Sequence, residues 1–145
     1  MTERKRDDHS GPRDFMAGVE VREHVFGHCQ LRTDGLVHVQ NRPGDHELHH
    51  ARAYVDYIHG LRLERGRKLR VVVDIRDVRT MPSEVRELYG SDEHAADVVA
   101  VALVIDGGVS RVIGNFAMRL VRTRVPQRLF NTIAEAVEWL ETVED

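Results

Sequence analysis

The chain has little of what several common protein classes require. It has a single cysteine, Cys29, in 145 residues, which excludes an internal disulfide framework and a cysteine-based zinc site. Its 21 lysines and arginines stand against 24 acids, a net charge of −3, so it lacks the positive charge of a typical nucleic-acid binder. The longest apolar run, residues 98–105, has eight residues, whereas a membrane-spanning helix needs roughly 20. These absences predict a protein with neither a nucleic-acid partner nor a transmembrane segment.

The first 16 residues have almost nothing to bury. They mix four acids and four bases with Ser10, Gly11 and Pro12, a composition typical of a disordered tail. The start of the chain also lacks the apolar core of a secretory signal, so we expect a cytoplasmic protein. The remaining residues, 17–145, have the length and composition of one globular domain.

From Val19 to Arg32, apolar and polar residues alternate as in a β-strand with one face on the core. A second strand follows Gly35. A three-residue loop with Gly35 in the left-handed conformation pairs Leu31 with Val37 and Cys29 with Val39, which keeps the apolar side chains on one face. The other face of this hairpin is predicted to point outward, and it carries His24, His28 and His38.

The rest of the chain alternates between helical and strand periodicity. Helices are predicted from Asp45 to Gly66, from Thr80, after Gly108 and from Thr132 to about Val143, and strands over residues 69–75, 98–105 and 128–130. Asp45 is the expected N-cap of the first helix, and Thr132 with Glu135 predicts a capping box. This order predicts an α/β fold with a mixed sheet of about five strands, in which the later strands are parallel, and four helices.

The carboxyl ends of parallel strands are where open α/β sheets usually bind ligands. One such end carries Asp74, Arg76 and Asp77, which could hold a metal or act as acid and base, although aspartate–arginine pairing is the more common arrangement. At the other end, the residues after Asp106 could bind a small anion at a helix start, unless their glycines form only a tight turn. We expect both ends to open onto one rim. The anion-binding candidates are Gly107, Gly108, Ser110 and Arg111.

Nine histidines raise the question of a metal site. His46, His49 and His50 are spaced so that one helix could offer two ligands from a single face, which resembles half of a zinc site. The spacing lacks the intervening catalytic glutamate and an obvious third ligand. These three histidines are therefore weak metal candidates, and we expect neither a metal nor another cofactor.

Charge is segregated late in the chain. Five arginines and no acid lie between residues 107 and 130, whereas five acids and no base lie from residue 131 onward. A basic edge beside an acidic helix could drive self-association or dock an anionic partner, but two solvated faces that partly neutralise each other explain the pattern equally well. We expect a homodimer.

Three stretches carry a resemblance to a known family. They are residues 71–78 (VVVDIRDV), residues 101–106 (VALVID) with 109–116 (VSRVIGNF), and residues 128–130 (RLF) followed by 134–140 (AEAVEWL). Over residues 19 to 143 the chain resembles the small bacterial SpoIIAA-like domains, which are related to the STAS (anti-sigma-factor antagonist) fold and often described as STAS/SEC14-like. The resemblance implies a SpoIIAA-like α/β fold without an established activity.

The STAS resemblance also implies where a regulatory site would lie. In STAS antagonists, a strand that ends like residues 73–75 leads to an Asp-Ser-Ser-Gly-like turn whose second serine is phosphorylated. The matching stretch is residues 82–85 (PSEV), in which Ser83 remains but Glu84 stands at the phosphoserine position. Its single charge imitates a phosphate only in part. We therefore expect any partner to be bound without a phosphorylation switch.

Three classes of function remain open. The leading hypothesis is a non-enzymatic protein-interaction or regulatory module that works through the start of the second helix, with Ser83 and Glu84, and the neighbouring strand ends. The alternative, implied by the SEC14 resemblance and the arginines of the third predicted helix, is a domain that binds a small ligand or lipid. The third is a small enzyme using Asp74, Asp77 or Ser110, which is less favoured because the sequence shows no assembled catalytic constellation.

Overall fold

A six-stranded mixed sheet forms the centre of the molecule. The computed structural model describes residues 11–106 and 125–144. Neighbouring strands of the sheet follow the order β1 (Arg22–His24), β2 (Gly27–Leu31), β3 (Leu36–Asn41), β5 (Leu69–Asp74), β7 (Val98–Val104) and β8 (Gln127–Phe130). β1, β2 and β3 pair antiparallel, and the strands from β3 to β8 pair parallel. The predicted α/β fold with parallel later strands is confirmed.

The hairpin of β2 and β3 has the predicted register. Leu31 pairs with Val37 and Cys29 with Val39, and the intervening loop has Gly35 at φ 87°. A left-handed conformation of this kind is open to glycine without steric cost. The three-residue loop therefore keeps Cys29, Val37 and Val39 together in the buried core.

The single first strand predicted from the alternation is wrong, because the chain turns back at Val25 and Phe26. β1 and β2 pair with each other, and His24 lies opposite Gly27. Gly27 has φ 141°, and a Cβ atom there would lie 2.0 Å from the carbonyl oxygen of Gln40. A glycine is thus required where the turn meets β3, and the alternation alone gave no sign of it.

The helices between the strands pack against one side of the sheet, here called the α1 side. They are α1 (Leu48–Arg65), α2 (Ser83–Tyr89) and the short α3 (Asp92–Ala95). α1 ends as predicted at Gly66, which is left-handed, but its N-cap is Glu47 rather than Asp45. Asp45 lies instead in β4 (Gly44–Asp45), which pairs with β6 (Val78–Thr80) in a separate two-stranded sheet, and its carboxylate accepts a hydrogen bond from Thr80.

The last helix covers part of the opposite side, here called the α4 side. α4 (Ile133–Thr142) begins at the predicted N-cap, where the Glu135 amide donates to the Thr132 hydroxyl at 3.1 Å. The second half of the predicted capping box differs, because the Glu135 carboxylate accepts the Thr132 hydroxyl rather than the Thr132 amide. Its buried Ala136 and Leu140 pack on strand residues such as Val72. The Arg70 guanidinium of β5 donates to the carbonyls of Leu140 and Val143, at 3.0 and 2.6 Å.

The rest of the α4 side is covered by residues 11–19, here called the strap. The polar face of the first hairpin was predicted to point outward, and for His38 this is wrong, because its side chain is buried beneath the ring of Phe15. It is also wrong for His24, whose ring stacks on Phe26 and packs against Tyr57 on the α1 side. Gln30 and Gln40 are buried on the same face as His38 and hydrogen-bond to strap backbone. The predicted tail is described from residue 11 onward, and from there it contacts the sheet.

The helix predicted after Gly108 lies outside the described residues. So do the candidate anion ligands Gly107, Gly108, Ser110 and Arg111. In the parts of the chain that the structure describes, no helix has the length and apolar character needed to cross a bilayer.

Candidate functional site

Both predicted strand ends lie at the same edge of the sheet. β5 and β7 are parallel neighbours, and Asp74 pairs with Val104, two residues before Asp106. Asp74 and Asp106 therefore leave the sheet side by side, as the sequence predicted. The two differ in exposure, because Asp74 is buried and Asp106 is exposed.

Asp74 is held by its neighbours in an ion-paired network. It accepts hydrogen bonds from the Arg76 backbone amide at 3.0 Å and from the Arg76 guanidinium at 2.9 and 2.7 Å. Arg76 also reaches Asp14 at 2.6 Å, and Arg13 lies 3.1 Å from Asp77. Burial alone would raise the pKa of Asp74, but the hydrogen bonds and charge of Arg76 outweigh it and lower that pKa below its usual value. The arrangement favours a permanently ionised structural carboxylate over a proton donor.

Ser83 and Glu84 lie apart from this network. Both are exposed in the first turn of α2, a seven-residue helix. The structure thus presents Glu84 to solvent at the position that the STAS resemblance assigned to a phosphoserine. It does not bring Glu84 into the Asp74 network through any hydrogen bond or ion pair between described residues.

The three candidate metal ligands face different partners. His46 precedes α1 and hydrogen-bonds the Tyr89 hydroxyl. His50 accepts the Glu47 amide at its Nδ1 atom, at 2.9 Å, which completes the α1 capping box. His49 is exposed. Within residues 11–106 and 125–144, no group of three or more His, Cys, Asp or Glu side chains is arranged to hold a metal ion.

A cavity that the sequence did not reveal lies on the α1 side of the sheet. We call it the aromatic cavity; it has a volume of about 50 Å³. Its wall on the sheet is apolar and is formed by Val73, Ile75, Val101 and Leu103. Its polar residues are Asn41, Tyr54, Tyr89, His94 and Gln127.

The aromatic rings of the cavity are fixed by edge contacts and hydrogen bonds. The rings of Tyr54 and Tyr89 pack edge to face, with centroids 5.4 Å apart and planes at 89°. The Tyr54 hydroxyl lies 3.2 Å from Nε2 of His94. Tyr54 belongs to α1, Tyr89 to α2 and His94 to α3, so the three helices meet at these rings. Such pairs hold the cavity wall in one arrangement.

Asn41 is the cavity residue whose side chain is buried with both of its polar atoms unsatisfied among the described residues. It ends β3, it is 1% exposed, and neither its amide nitrogen nor its amide oxygen has a hydrogen-bond partner among the described residues. The Nδ1 atoms of His94 and His46 lack partners in the same part of the structure. A buried polar atom without a partner costs about 1–3 kcal/mol. Native structures usually satisfy such atoms with water or a ligand.

Burial keeps the histidines around the cavity neutral. Burial lowers the pKa of His94 to about 4, against the opposing charges of Asp97 and Glu93. It lowers the pKa of His46 to about 3, with a further contribution from the positive charge of His50 and Arg42. Burial also raises the pKa of Tyr54 and of Tyr89. At neutral pH, the described lining of the cavity therefore carries no charge.

The chain offered few signals for this cavity. Asn41 stands in a segment (residues 41–44, NRPG) that predicts only the end of a strand. The aromatic residues belong to three different helices and are separated by up to 40 positions.

Comparison with known proteins places the chain in a family and a fold. The sequence signature of DUF7793, a domain of unknown function, matches residues 29–144. No curated protein matches the chain.

A solved structure shares the architecture. The chain is similar to the crystal structure of an uncharacterised protein from the DUF3478 family, with a SpoIIAA-like fold, from Shewanella loihica PV-4. The TM-score is 0.56 at 13% sequence identity, and the alignment covers 90% of this chain and 99% of the other. The predicted SpoIIAA-like fold is confirmed.

Proposed function

The chain belongs to the DUF7793 family and has a SpoIIAA-like fold, and from this premise we propose that it is a binding domain for a small neutral molecule. The site is the aromatic cavity. The observation that carries the proposal is Asn41, whose side-chain donor and acceptor are both buried and both without a partner among the described residues. This is the ligand-binding alternative that the sequence left open.

The lining limits the chemistry of the ligand. Asn41 can donate two hydrogen bonds and accept others, so a carbonyl, hydroxyl or amide group suits it. The sheet wall of Val73, Val101 and Leu103 suits an apolar part. A charged ligand would lose its hydration without meeting an opposite charge.

The volume limits the size of the ligand. A buried water needs about 10–15 Å³ by the same measure, so about 50 Å³ holds a few waters or a group of similar size. The ligand is therefore either a very small molecule or the neutral end of a larger one.

The charged residues at the carboxyl ends of the parallel strands differ from the aromatic cavity in their hydrogen bonding. Asp74, Arg76 and Asp77, the candidates for binding or catalysis at that edge, are paired with one another and with Arg13 and Asp14. Their charges are used in holding the strap. The Asp74 carboxylate accepts three hydrogen bonds from Arg76, whereas neither polar atom of the Asn41 side chain has a partner among the described residues.

Acetamide and acetate test the proposal, because they have similar size and differ in charge. Urea unfolding of the full chain is measured at pH 7 with each compound, from about 0.1 to 50 mM at constant ionic strength. Four heavy atoms give at best about −6 kcal/mol of binding, so the expected Kd lies above about 0.05 mM. At ten times Kd, acetamide should stabilise the chain by about 1.4 kcal/mol, and acetate should have no effect.

Two variants test whether the stabilisation by acetamide depends on Asn41. Asn41→Leu removes both polar atoms at nearly constant size and should abolish the response to acetamide. Asn131→Leu makes the same change at an exposed position outside the cavity, and its response should equal that of the wild type. Equal stabilisation by acetamide and acetate, or an unchanged response in Asn41→Leu, would contradict the proposal.

A further inference from the structure

A groove runs between the strap and α4 on the α4 side of the sheet. We call it the strap groove; it has a volume of about 450 Å³, within the range of about 300–1,000 Å³ that is typical of small-molecule sites. Leu36 and His38 of β3 line it from the sheet. The aromatic cavity lies on the opposite side of the sheet and shares no lining residue with this groove, so the two sites are tested separately.

Most of the described surface of the groove is apolar. Leu36 is buried at its base, and Ile133 and Val137 line it from α4. Met16 of the strap also lines it and is 45% exposed. An apolar group that enters the groove therefore removes these side chains from water, including a methionine that the fold leaves exposed.

His38 supplies a buried polar atom at the base of the groove. It is 3% exposed, and its Nε2 atom has no hydrogen-bond partner among the described residues. The Phe15 ring packs on the imidazole but offers Nε2 neither a donor nor an acceptor. Burial lowers the pKa of His38 to about 4, against the opposing charges of Asp74 and Asp14, so the ring is neutral at pH 7. A hydroxyl group suits Nε2 in either tautomer, because it donates to a bare nitrogen and accepts from a protonated one.

Glu138 and Glu141 give the groove a negative charge on its α4 side. Both line the groove and are exposed, and neither carboxylate forms an ion pair within the part of the chain that the structure describes. The other charged residues of the lining, Arg32 and Asp14, are each paired with a neighbour of opposite charge, at 3.3 and 2.6 Å. The charge left to meet a ligand is therefore negative, and it complements a cation.

We propose that the strap groove binds a small organic amine that combines an apolar body, a hydroxyl group and a cationic nitrogen. The apolar body packs on Leu36 and Val137, and the hydroxyl group bonds Nε2 of His38. The ammonium group lies near Glu138 and Glu141. Exposed carboxylates alone attract any cation, whereas the buried imidazole atom beside apolar side chains selects a cation of this composition.

Three compounds of similar size test the charge of the ligand. Phenylethanolamine has a phenyl ring, a hydroxyl group and, at pH 7, an ammonium group. Phenylethylene glycol replaces the ammonium with a neutral hydroxyl, and mandelate replaces it with a carboxylate. Binding to the full chain is followed through its backbone amide resonances by NMR. We expect phenylethanolamine to bind at least about 3-fold more tightly than the glycol and about 10-fold more tightly than mandelate, and raised salt should reduce both differences.

Phenethylamine tests the hydroxyl group, since it differs from phenylethanolamine only in lacking that group. It should bind to the wild type at least about 5-fold more weakly, because Nε2 of His38 then stays without a partner. In His38→Leu, the two amines should bind with equal affinity. Circular dichroism checks that this variant keeps its fold.

Substitutions in the groove test its location. Glu138→Gln combined with Glu141→Gln should remove the preference for phenylethanolamine over the glycol. Glu64→Gln combined with Glu87→Gln makes the same change at exposed positions of α1 and α2, and the preference should remain. Ala134→Trp fills the groove from an exposed position of α4, and it should weaken binding of phenylethanolamine at least about 10-fold.

Four results would overturn the proposal. One is the absence of phenylethanolamine binding to the wild type at about 20 mM, and another is equal affinity for the amine, the glycol and mandelate. The third is a preference for the amine that survives the double substitution of Glu138 and Glu141. The fourth is a set of shifted resonances that leaves out the amides of Met16, Leu36 and Val137.

Discussion

Asn41 is a buried residue whose unsatisfied amide lowers the stability of the protein. It lies opposite Gly27 in the antiparallel pair of β2 and β3, where the turn of β1 and β2 closes against the end of β3. Its amide is buried among the rings of the cavity and has no partner among the described residues. Asn41 therefore lowers the stability of the fold unless a bound group satisfies its amide.

The unsatisfied Asn41 amide makes a prediction about stability. Asn41→Leu should increase the free energy of unfolding without ligand by about 1–2 kcal/mol, because the unsatisfied amide is replaced by an apolar group of similar volume. Urea unfolding at pH 7 measures this difference. Destabilisation by a similar amount would mean that the amide is already satisfied in the native protein.

Gly27 and Gly60 give opposite expectations for the same substitution. Gly27→Ala should destabilise the chain by about 3 kcal/mol or more, because the new Cβ would meet the Gln40 carbonyl at 2.0 Å, at a φ of 141°. Gly60→Ala should stabilise it by about 0.5–1 kcal/mol, because Gly60 lies within α1 with no other atom within 4 Å of its Cβ position. Thermal unfolding of both variants checks the pair, and equal effects would contradict it.

At the scale of elements, one long side chain joins the end of α4 to the sheet, in addition to the apolar packing of Ala136 and Leu140. Arg70 extends from β5 to the last carbonyls of α4. The Leu140 carbonyl also accepts the Val143 amide, so the guanidinium adds hydrogen bonds at the helix end, where its positive charge is favourable.

Arg70→Met should therefore loosen α4 more than it loosens the sheet. We expect a loss of about 1–2 kcal/mol and faster amide exchange in Ile133–Thr142, measured by hydrogen exchange. Arg67→Met is the matched control, since Arg67 is exposed before β5, and it should leave this exchange unchanged. Identical exchange in the two variants would show that Arg70 does not hold the helix end.

The elements were largely predictable from the sequence, whereas the site was not. Alternation and turn chemistry predicted the register of Leu31 with Val37, and the capping residues predicted the start of α4, because both depend on residues close in sequence. The turn at Gly27 and the burial of His38 were missed, because each depends on contact with a distant segment. The aromatic cavity was missed for the same reason, since it joins the end of β3 to three helices.

The whole molecule buries several neutral histidines, which couples its stability to pH. Burial lowers the pKa of His38 to about 4, of His46 to about 3 and of His94 to about 4, each from an ordinary value of 6.5. Between these values and 6.5 the unfolded chain binds more protons than the folded chain. The stability that these residues contribute is therefore complete above pH 6.5 and is lost as the pH falls toward 4.

The pH dependence can be measured one histidine at a time. Each buried histidine should contribute a slope of about 1.4 kcal/mol per pH unit within this window. His94→Gln keeps a polar partner for Tyr54 but does not titrate, so its unfolding free energy should fall less steeply than that of the wild type between pH 6.5 and 4.5. Parallel curves for the two proteins would show that His94 does not titrate as its burial requires.

The central claim is that the Asn41 side-chain amide hydrogen-bonds a neutral group of a small ligand. The side-chain ¹⁵N–¹H resonances of Asn41 test this claim most directly. They are assigned by comparison with Asn41→Leu and followed by NMR while acetamide, and separately acetate, is added to the full chain. The account predicts saturable shifts of both amide protons with acetamide and none with acetate. Resonances that do not move with acetamide, while the rest of the spectrum shows a folded protein, would contradict it.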